Sequence, residues 1–380
     1  MKIVFWWNIP CAGMIGVLKS YCEDIDNSAI VVTGALSKSR KSMGWNDKGK
    51  LFKSHIILND DEWEHKGPEI LDQYKDRLHV FNGITHPARM MRVINFAIKR
   101  NIKFCNMSEA YSNLSYGLRG LVKDLYIKYY LPLLVRPIAQ YSQGILCLSG
   151  ASSKYLKQFK SLGFSRKAIY PYGYYTDEDI SYYYKPAPDG KIHILCPGLL
   201  ERYKGVDLLI KALHIVTNLQ GVKNYICHIT GNGHQRRFLE SLVVKYGLKD
   251  HIIFEGVLDS DKYNELLSHI DVLIAPGRVE PWGIRINEAI QRGNAVIVSS
   301  GLGAAELINA SRGGAVFRSG DIKDLASKID NLLINRDRLL CAKQNNVKYK
   351  QNISCKYQAE VLAKILDQII INENESNNCL

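Results

Sequence analysis

Residues 272 to 289 read VLIAPGRVEPWGIRINEA, the stretch that indicates the fold most directly. Its apolar start predicts a strand, and its end predicts a helix that begins at about Gly283. Between them, Pro281 disfavours the α conformation at Glu280, which therefore belongs to a loop. A strand that passes through a short loop into a helix is the repeating unit of parallel α/β sheets. The stretch thus predicts such a sheet, with Glu280 in the loop and Glu288 inside the helix.

The same alternation of short β-rich runs and longer helical patterns continues on both sides of this stretch. The predicted strands are Ile3–Trp7, Ala29–Thr33, His79–Asn82, Lys103–Met107, Gly144–Leu148, His193–Cys196, Tyr225–Thr230, Ile252–Glu255, Val272–Ala275 and Ala295–Ser299. We therefore predict an α/β protein made of two doubly wound domains.

Residues 176–191 interrupt the alternation with acidic residues, three consecutive tyrosines and two prolines, a composition typical of a linker. This linker divides the chain into an N-terminal domain at residues 1–175 and a C-terminal domain at residues 192–350. The remaining residues, 351–380, contain an amphipathic run from Lys356 to Ile371 and end in a polar tail. We expect this last helix to cross back to the N-terminal domain.

The composition of the 380 residues, with 46% apolar and 23% charged residues, is that of a globular protein. No run approaches the roughly 18 consecutive apolar residues that a membrane-spanning helix needs. A secretory signal is not expected either, because Asn8 and Pro10 interrupt the first apolar run. The nine cysteines are scattered without a CxxC pair, which fits neither a disulfide framework nor a zinc site. We expect the protein in the reducing cytoplasm.

The net charge of +13 is concentrated in the N-terminal half, with +9 in residues 1–180 and +4 in residues 181–380. Residues 115–170 contain a single acidic residue, Asp124, and a larger set of basic ones. The basic residues are Arg119, Lys123, Lys128, Arg136, Lys154, Lys157, Lys160, Arg166 and Lys167. Such a patch suits a polyanionic partner, although a solvated basic face is the alternative.

Apolar residues inside this basic region recur with the period of one helix face. They are Leu118, Leu121, Val122, Leu125 and Tyr129. Two readings remain open. The helix either packs this face against the core and exposes a basic back, or it lies on an anionic membrane surface with help from the neighbouring tyrosines and lysines.

The stretch at 272–289 also suggests ligand chemistry. The N–H groups of Gly283, Ile284 and Arg285, at the start of the predicted helix, would form an anion site suited to a diphosphate. Glu288 lies roughly 7 to 8 Å further along the helix axis, where a carboxylate can accept hydrogen bonds from sugar hydroxyls. The alternative is that Glu280 is an ordinary loop acid and Glu288 a solvent-facing helix acid.

A second motif strengthens the ligand-binding interpretation. The residues from Gly198 to Gly205 read GLLERYKG and lie between a predicted strand and a predicted helix. Arg202 and Lys204 thus bring two cations to the carboxyl end of a strand, where open α/β sheets bind their ligands. Further glycine turns, around Gly231, before Val257 and at residues 301–303, follow other predicted strands.

Together these stretches resemble glycosyltransferase family 4, the retaining transferases of GT-B fold that use nucleotide sugars. The resemblance covers most of residues 190–335, and its most specific element is the spacing of Glu280 and Glu288, with seven residues between them. It implies two Rossmann-like domains that face each other across a cleft. The donor site implied by the resemblance comprises Gly13, Gly198, Arg202, Lys204, Gly231, Val257, Pro281, Trp282, Gly283, Ile284, Arg285 and Glu288.

The resemblance also assigns roles. It implies that Glu280 contacts the hydroxyls of the donor sugar, that Glu288 contacts the nucleotide ribose, and that Arg202 and Lys204 contact the diphosphate. The family's usual arginine after the first glycine of the basic motif is Leu199 here, so its role passes to Arg202.

The N-terminal half matches the family more weakly. Gly13 falls in the predicted first strand-to-helix loop, although Pro-Cys-Ala-Gly replaces the paired glycines common there. Where many members carry a histidine after the fourth strand, this chain has Glu109, which would face the reaction centre as a catalytic residue. The alternative is that Glu109 is only a neighbour of a helix N-cap.

No metal is expected in the reaction. Fixed cations and main-chain N–H groups can stabilise the charge that develops on the β-phosphate. Asp259 and Asp261 match a DxD metal motif formally, but they lie between a strand and a helix, where an aspartate N-cap is expected.

We therefore predict a metal-independent hexosyltransferase that needs no cofactor and takes a UDP or GDP sugar as its donor. Its acceptor would be a lipid-linked saccharide in bacterial O-antigen, capsule or lipopolysaccharide synthesis, met at the inner face of the cytoplasmic membrane. A GT-B nucleotide-sugar epimerase, which needs no acceptor, is an alternative. A non-enzymatic polyanion-binding or membrane-binding protein is another, but it does not explain Glu280 and Glu288, and we expect no nucleic acid partner.

Overall fold

The computed structural model describes residues 2–9, 12–35, 51–165, 168–176 and 184–377. The chain divides into an N-terminal unit, residues 1–176 with 355–380, and a C-terminal unit, residues 177–354. Of the predicted linker, residues 177–183 lie outside the described residues. Among the described helices, none has both the length and the apolar character needed to cross a membrane.

The N-terminal unit contains a sheet of seven strands, all paired in parallel in the order β3-β2-β1-β4-β5-β6-β7. These strands are β1 Ile3–Trp7, β2 Ile30–Gly34, β3 His55–Leu58, β4 Leu78–Asn82, β5 Phe104–Ser108, β6 Ile145–Cys147 and β7 Ile169–Pro171. The helices are α1 Ala12–Ser20, α2 Lys66–Gln73, α3 Ala88–Lys99, α4 Gly117–Leu125, α5 Leu131–Tyr141 and α6 Ser153–Ser161.

The C-terminal unit contains six parallel strands in the order β10-β9-β8-β11-β12-β13. They are β8 Ile192–Cys196, β9 Tyr225–Thr230, β10 Ile252–Gly256, β11 Val272–Ala275, β12 Ala295–Ser299 and β13 Gly314–Phe317. The helices are α7 Val206–His214, α8 Arg236–Lys245, α9 Ser260–Ser268, α10 Arg285–Gln291, α11 Ala305–Ser311, α12 Ile322–Ile334 and α13 Arg336–Tyr349. The strand order reverses between β8 and β11, so the crevice for a ligand is expected beside these two strands.

The predicted α/β class with two doubly wound parallel sheets is confirmed. The central strands read as continuous apolar runs because helices cover both faces of a parallel sheet; β1 and β12 are buried at every position. The predicted strands do not include β3, β7 and β13, which have only three or four residues each and are partly exposed. The helix predicted from Gly283 begins instead at Arg285, because Gly283 has a φ of 103°, outside the helical region.

The last helix, α14 (Cys355–Asn377), belongs to the N-terminal unit and packs against α1. Leu362, Leu366 and Ile369 on this helix are buried. The hydroxyl of Tyr172, just after β7, donates a hydrogen bond of 2.8 Å to the carbonyl of Gln358. Apolar burial and one buried polar contact therefore fix α14 on this unit.

A polar cluster anchors the amino end of β11. Asp271 accepts hydrogen bonds from Lys343 Nζ at 2.9 Å, from the hydroxyl of Tyr184 at 2.8 Å and from the main-chain N–H of His193 at 3.0 Å. The ammonium of Lys343 also lies 3.2 Å from the centre of the Tyr184 ring. Burial lowers the pKa of Lys343, and the nearby Asp271 carboxylate offsets only part of that effect. The cluster joins the segment before β8 to α13 and the central strand.

We expect Asp271→Asn to lower the free energy of unfolding of the C-terminal unit by about 3 kcal/mol, as for other buried pairs that lose one partner. The substitution leaves Lys343 buried without a countercharge. In either orientation the amide turns its NH₂ group, which is a donor, towards Lys343 or towards the N–H of His193. Urea denaturation followed by circular dichroism measures the change.

Arg318→Ala is the matched control, because its ion pair with Asp321 is 3.6 Å long and the Arg318 side chain is 81% exposed. Loss of such a surface pair should change the free energy of unfolding by less than about 1 kcal/mol. Equal losses for the two variants would contradict the anchoring role of Asp271.

Candidate active site

The carboxyl ends of the C-terminal strands enclose a cavity of about 340 Å³. Because all six strands are parallel, the loops that follow them meet at this one edge of the sheet. The cavity is lined by Pro197, Gly198, Thr230, Gly231, Val257, Leu258, Asp259, Ser260, Tyr263, Asn264, Arg285 and Glu288. Five of the predicted donor-site residues, Gly198, Gly231, Val257, Arg285 and Glu288, are therefore brought together here.

Two glycines allow the loops to approach closely. Gly231 has a φ of 100°, and a Cβ added to it would lie 2.0 Å from the carbonyl oxygen of Gly198. Gly205 has a φ of 71°, and a Cβ there would lie 2.1 Å from the carbonyl oxygen of Pro276. Both positions exclude any side chain, for steric reasons as well as for backbone conformation. These contacts join the loops after β8, β9 and β11.

The loop that carries Glu280 is held by the segment that follows β12. The N–H of Glu280 donates to the carbonyl of Gly301 at 3.1 Å, and the N–H of Gly303 donates to the carbonyl of Glu280 at 3.3 Å. The next residue, Ala304, donates to the carbonyl of Trp282 at 3.0 Å. The glycine turn that sequence analysis noted at residues 301–303 thus positions the backbone of the predicted catalytic glutamate.

Glu280 and Lys204 form an ion pair. The Nζ of Lys204 lies 2.8 Å from Glu280 Oε1, and their side chains are 20% and 26% exposed. Lys204 ends the single 3-10 turn Arg202–Lys204, between β8 and α7, and its side chain passes beside Gly198. Sequence analysis assigned these two residues to different parts of a ligand but did not predict that they contact each other.

Arg202 is exposed in the same turn, and its carbonyl accepts a hydrogen bond of 2.6 Å from Arg278 Nη1. Arg278 also makes a bidentate pair with Asp207, at 2.8 Å for both bonds. Burial acts to raise the pKa of Asp207, but the hydrogen bonds and charge of Arg278 outweigh it and hold the pKa below its usual value. Sequence analysis missed this pair, which fastens the Glu280 loop to the turn that carries both predicted cations.

Glu288 is paired inside the cavity. Its two carboxylate oxygens accept from Arg285 Nη1 at 3.0 and 2.8 Å, and the guanidinium of Arg285 lies 4.3 Å from the centre of the Tyr263 ring. Arg285 therefore lies over the ring of Tyr263 and binds Glu288, and sequence analysis did not include Tyr263 in the site.

In the segment before α10, residues 281–284, main-chain groups and not side chains are available to a ligand. The indole of Trp282 is buried and donates to Asn287 Oδ1 at 3.0 Å, so its ring belongs to the core and only its backbone is available to a ligand. Within the described residues, the N–H groups of Gly283, Ile284 and Arg285 have no protein acceptor. Pro281 is half-buried beside them.

Asp259 acts as the N-cap of α9, since its Oδ1 accepts from the N–H of Lys262 at 2.9 Å. Hydrogen bonding to that N–H lowers the pKa of Asp259. Its neighbour Asp261 lies in the first turn of the helix. In the described part of the chain, no cluster of three or more His, Cys, Asp or Glu side chains could hold a metal ion.

The structure places the two site residues predicted in the N-terminal unit as follows. Gly13 is the second residue of α1 and not a loop residue, and a Cβ there would lie 2.9 Å from Tyr174 Cβ. Glu109 is exposed directly after β5, and residues 109–116 are irregular, so the alternative of a helix N-cap neighbour is wrong. Ser108 donates to the carbonyl of Glu109 at 3.0 Å.

The basic helix of the N-terminal unit presents its apolar face to solvent. On α4, the exposed fractions are 84% for Leu118, 57% for Leu121, 66% for Val122 and 49% for Leu125. The reading in which this face packs against the core is therefore wrong. Helical turns continue to α5, and further exposed apolar residues lie on them: Tyr126, Tyr129, Tyr130 and Leu133.

Solved structures resemble the chain over nearly its whole length. Anabaena Alr3699/HepE in complex with UDP has a TM-score of 0.67 at 15% identity and covers 97% of this chain and 100% of its own. The lipopolysaccharide outer core galactosyltransferase WaaB in its apo form has a TM-score of 0.66 at 15% identity and covers 98% and 100%. At this identity the likeness establishes the fold alone, which is the GT-B fold of two parallel-sheet halves.

Sequence relatives match a shorter part. An uncharacterized glycosyltransferase, MJ1607 of Methanocaldococcus jannaschii, is 30% identical over 145 residues, 38% of this chain and 36% of that protein. A GDP-mannose-dependent alpha-(1-6)-phosphatidylinositol monomannoside mannosyltransferase of Mycobacterium tuberculosis is 30% identical over 152 residues, 38% of this chain and 39% of that protein. The chain thus spans less than two fifths of these relatives. Residues 177–353, nearly the whole C-terminal unit, match the family model described as Glycosyl transferases group 1.

Proposed function

We propose that this protein is a retaining glycosyltransferase of family 4 that moves a hexose from a UDP or GDP sugar to a lipid-linked saccharide. The observation that carries the proposal is that the carboxyl edge of the C-terminal sheet holds both the Lys204–Glu280 ion pair and a cavity lined by Glu288, within the residues that match the group 1 model. This cavity of about 340 Å³ is large enough for a small-molecule ligand.

In the proposed complex the nucleotide occupies this cavity, and Glu288 accepts hydrogen bonds from the ribose hydroxyls. Lys204 and Arg202 hold the diphosphate, together with the N–H groups of Gly283 and Ile284. Glu280 accepts from hydroxyls of the donor sugar. These assignments follow the family resemblance, and the half-buried positions of Lys204, Glu280 and Glu288 support them because each remains accessible to a ligand.

The chemistry needs stabilisation of one developing charge. As the bond from the anomeric carbon to the diphosphate oxygen breaks, negative charge accumulates on the β-phosphate. The acceptor oxygen forms its bond to the anomeric carbon as the bond to the diphosphate breaks, and the proton of the acceptor hydroxyl passes to the leaving phosphate oxygen. Lys204, Arg202 and the free N–H groups are fixed donors for the leaving phosphate, and preorganised donors of this kind require no metal. We therefore propose metal-independent transfer.

The names of the relatives support this substrate class. The Mycobacterium tuberculosis relative is named as GDP-mannose-dependent and as acting on a phosphatidylinositol mannoside, and a relative in Escherichia coli is named as a putative colanic acid biosynthesis glycosyltransferase. Alr3699/HepE binds UDP in its crystal structure. A nucleotide-sugar donor and an acceptor used in surface polysaccharide assembly fit these names and the cavity.

A lipid-linked acceptor requires the enzyme to reach a membrane, and α4 suits that task. Its exposed leucines and valine lie beside the exposed cations Arg119, Lys123 and Lys128. Apolar side chains can enter the headgroup boundary while the cations remain with anionic headgroups. We propose reversible binding of this helix to the inner face of the cytoplasmic membrane.

We expect Glu280→Ala to abolish transfer while nucleotide binding persists, because this carboxylate serves the sugar and not the nucleotide. Glu288→Ala should instead weaken nucleotide binding, because its carboxylate lies in the cavity. Steady-state transfer rates and calorimetric titration with nucleoside diphosphate separate the two effects.

Glu280→Gln accompanies the first variant, since the amide oxygen still accepts from Lys204 and keeps the loop in place. Glu240→Ala, at a partly exposed helix position paired with Arg236, controls for the loss of any glutamate from the same unit. Normal turnover of both Glu280→Ala and Glu288→Ala would show that the site is assigned wrongly.

Lys204→Ala and Arg202→Ala should each slow turnover on the order of 10²-fold, the usual effect of losing one donor to a developing charge. Lys211→Met is the control for the loss of a lysine, since Lys211 lies on the neighbouring helix and its Nζ pairs with Asp207 at 3.4 Å.

Transfer should also persist in the presence of EDTA. A strict requirement for Mg²⁺ or Mn²⁺ would contradict metal independence and indicate Asp259 and Asp261 as ligands.

The double variant Arg119→Glu plus Lys123→Glu should weaken binding to anionic vesicles by about 30-fold or more, since each basic residue near such a surface contributes about 1 kcal/mol. Co-sedimentation with vesicles at low and high salt measures the effect. Lys245→Glu plus Lys249→Glu, at exposed positions in the C-terminal unit, is the charge-matched control. Equal pelleting with neutral and anionic vesicles, or none at low salt, would exclude this mode of binding.

A further inference from the structure

The hydroxyl of Tyr263 is a buried polar group for which the ligand-free site provides no partner. Tyr263 lies on α9, lines the cavity and is only 8% exposed. Among the described residues, no group forms a hydrogen bond with its hydroxyl. Buried tyrosine hydroxyls are normally paired, so an unpaired one costs free energy and calls for an explanation.

Among the neighbouring charged groups, Glu288 has the largest effect on the pKa of this hydroxyl. Burial raises the pKa of Tyr263, and the neighbouring Glu288 carboxylate raises it further, so the hydroxyl keeps its proton and can only gain by donating it to a hydrogen bond. Above the ring, Arg285 lies 4.3 Å from the centroid and holds both oxygens of Glu288 through a single nitrogen, Nη1. Arg285 thus binds the Glu288 carboxylate, which also lies close enough to the Tyr263 hydroxyl to raise its pKa.

The pair that holds Glu288 in this orientation is weak enough to open. The side chain of Arg285 is 50% exposed and that of Glu288 is 21% exposed, and partly exposed pairs on neighbouring helix turns contribute little to stability. A carboxylate offers about four acceptor positions, so Glu288 can accept from a ligand hydroxyl and from a second donor at once. The neighbouring Tyr263 hydroxyl is available as that second donor, since Glu288 already acts on it and raises its pKa.

We propose that Tyr263 is a positioning residue for Glu288: its hydroxyl donates to the Glu288 carboxylate when a ribose hydroxyl of the bound nucleotide engages that carboxylate. This inference rests on the proposed function. The unpaired hydroxyl destabilises the ligand-free site and is paired only in the nucleotide complex. The difference between the two states appears as affinity for the nucleotide.

The test is Tyr263→Phe, which removes the hydroxyl and keeps the ring under Arg285. Because the hydroxyl is unpaired without ligand, the melting temperature of the free protein should stay the same or rise. Calorimetric titration with whichever of UDP and GDP binds the wild type should give a dissociation constant about three- to tenfold higher, the effect of one lost hydrogen bond.

Tyr225→Phe is the matched control, because Tyr225 is also buried in the same unit but its hydroxyl is paired with Thr217 Oγ1 at 2.5 Å. This variant leaves Thr217 without its partner, so it should lower the melting temperature and leave the dissociation constant unchanged. The two phenylalanine variants should therefore show opposite patterns.

A double-mutant cycle shows whether Tyr263 acts through Glu288. In a Glu288→Ala background, Tyr263→Phe should no longer change the dissociation constant. Tyr263→Phe should likewise not change the dissociation constant of the 2′-deoxy or the 3′-deoxy form of the nucleotide. Which of the two forms shows this depends on which ribose hydroxyl donates to Glu288.

The inference is overturned if Tyr263→Phe binds the nucleotide as the wild type does, or if it melts as early as Tyr225→Phe. It is also overturned if the loss of affinity persists in the Glu288→Ala background or for both deoxynucleotides. Failure of the wild type to bind UDP and GDP would remove the proposed function as well, so the two failures are distinguishable.

Discussion

The site depends on hydrogen bonds that fix the loop after β11 between the loops of its neighbours. Glu280 exchanges main-chain hydrogen bonds with the segment after β12, and Arg278 binds Asp207 and the carbonyl of Arg202 on the other side. Parallel strands bring these loops to one edge, but they do not by themselves determine where a glutamate in a loop will lie. These cross-links place the Glu280 carboxylate 2.8 Å from Lys204.

Three carboxylates at or near the proposed site are each paired with a basic side chain. Glu280 pairs with Lys204, Asp207 with Arg278 and Glu288 with Arg285. The pairs differ in burial and in geometry. Arg278 makes two bonds to Asp207, whose side chain is 14% exposed, and this pair suits a structural role. The pairs of Glu280 and Glu288 are more exposed, so exchanging the partner for a phosphate or a sugar hydroxyl costs little. In our interpretation, Glu280 and Glu288 form weak ion pairs within the protein when no ligand is bound, and these pairs open when the ligand binds.

The sequence was sufficient for the sheets and for much of the donor site. Strands β9, β11 and β12 are mostly apolar runs that end at glycines, prolines or polar residues, and their predicted bounds agree with the structure. Since parallel strands end at one edge, the motifs around Gly198, Gly231 and Glu288 could be expected to meet there. The start of α10 was misplaced because a periodic pattern does not reveal the positive φ of Gly283.

Other features could not be predicted because they depend on which distant side chains meet. Asp207 and Arg278 are 71 positions apart, and their loops could have paired with other charges. The same holds for Tyr263, which looks like an ordinary core residue in an amphipathic helix. The period of α4 indicated an apolar face, but no sequence pattern states whether such a face is covered, and the structure leaves Leu118 and Val122 exposed.

The most direct test of this interpretation is calorimetric titration of the wild-type protein with UDP, GDP and ADP in the presence of EDTA. We expect UDP or GDP to bind with a stoichiometry of one per chain, and its nucleoside monophosphate to bind more weakly because it lacks the β-phosphate that Lys204 and Arg202 would hold. Absence of binding by both UDP and GDP, whether or not ADP binds, or equal binding of monophosphate and diphosphate, would contradict the proposed nucleotide-sugar site at the carboxyl edge of the C-terminal sheet.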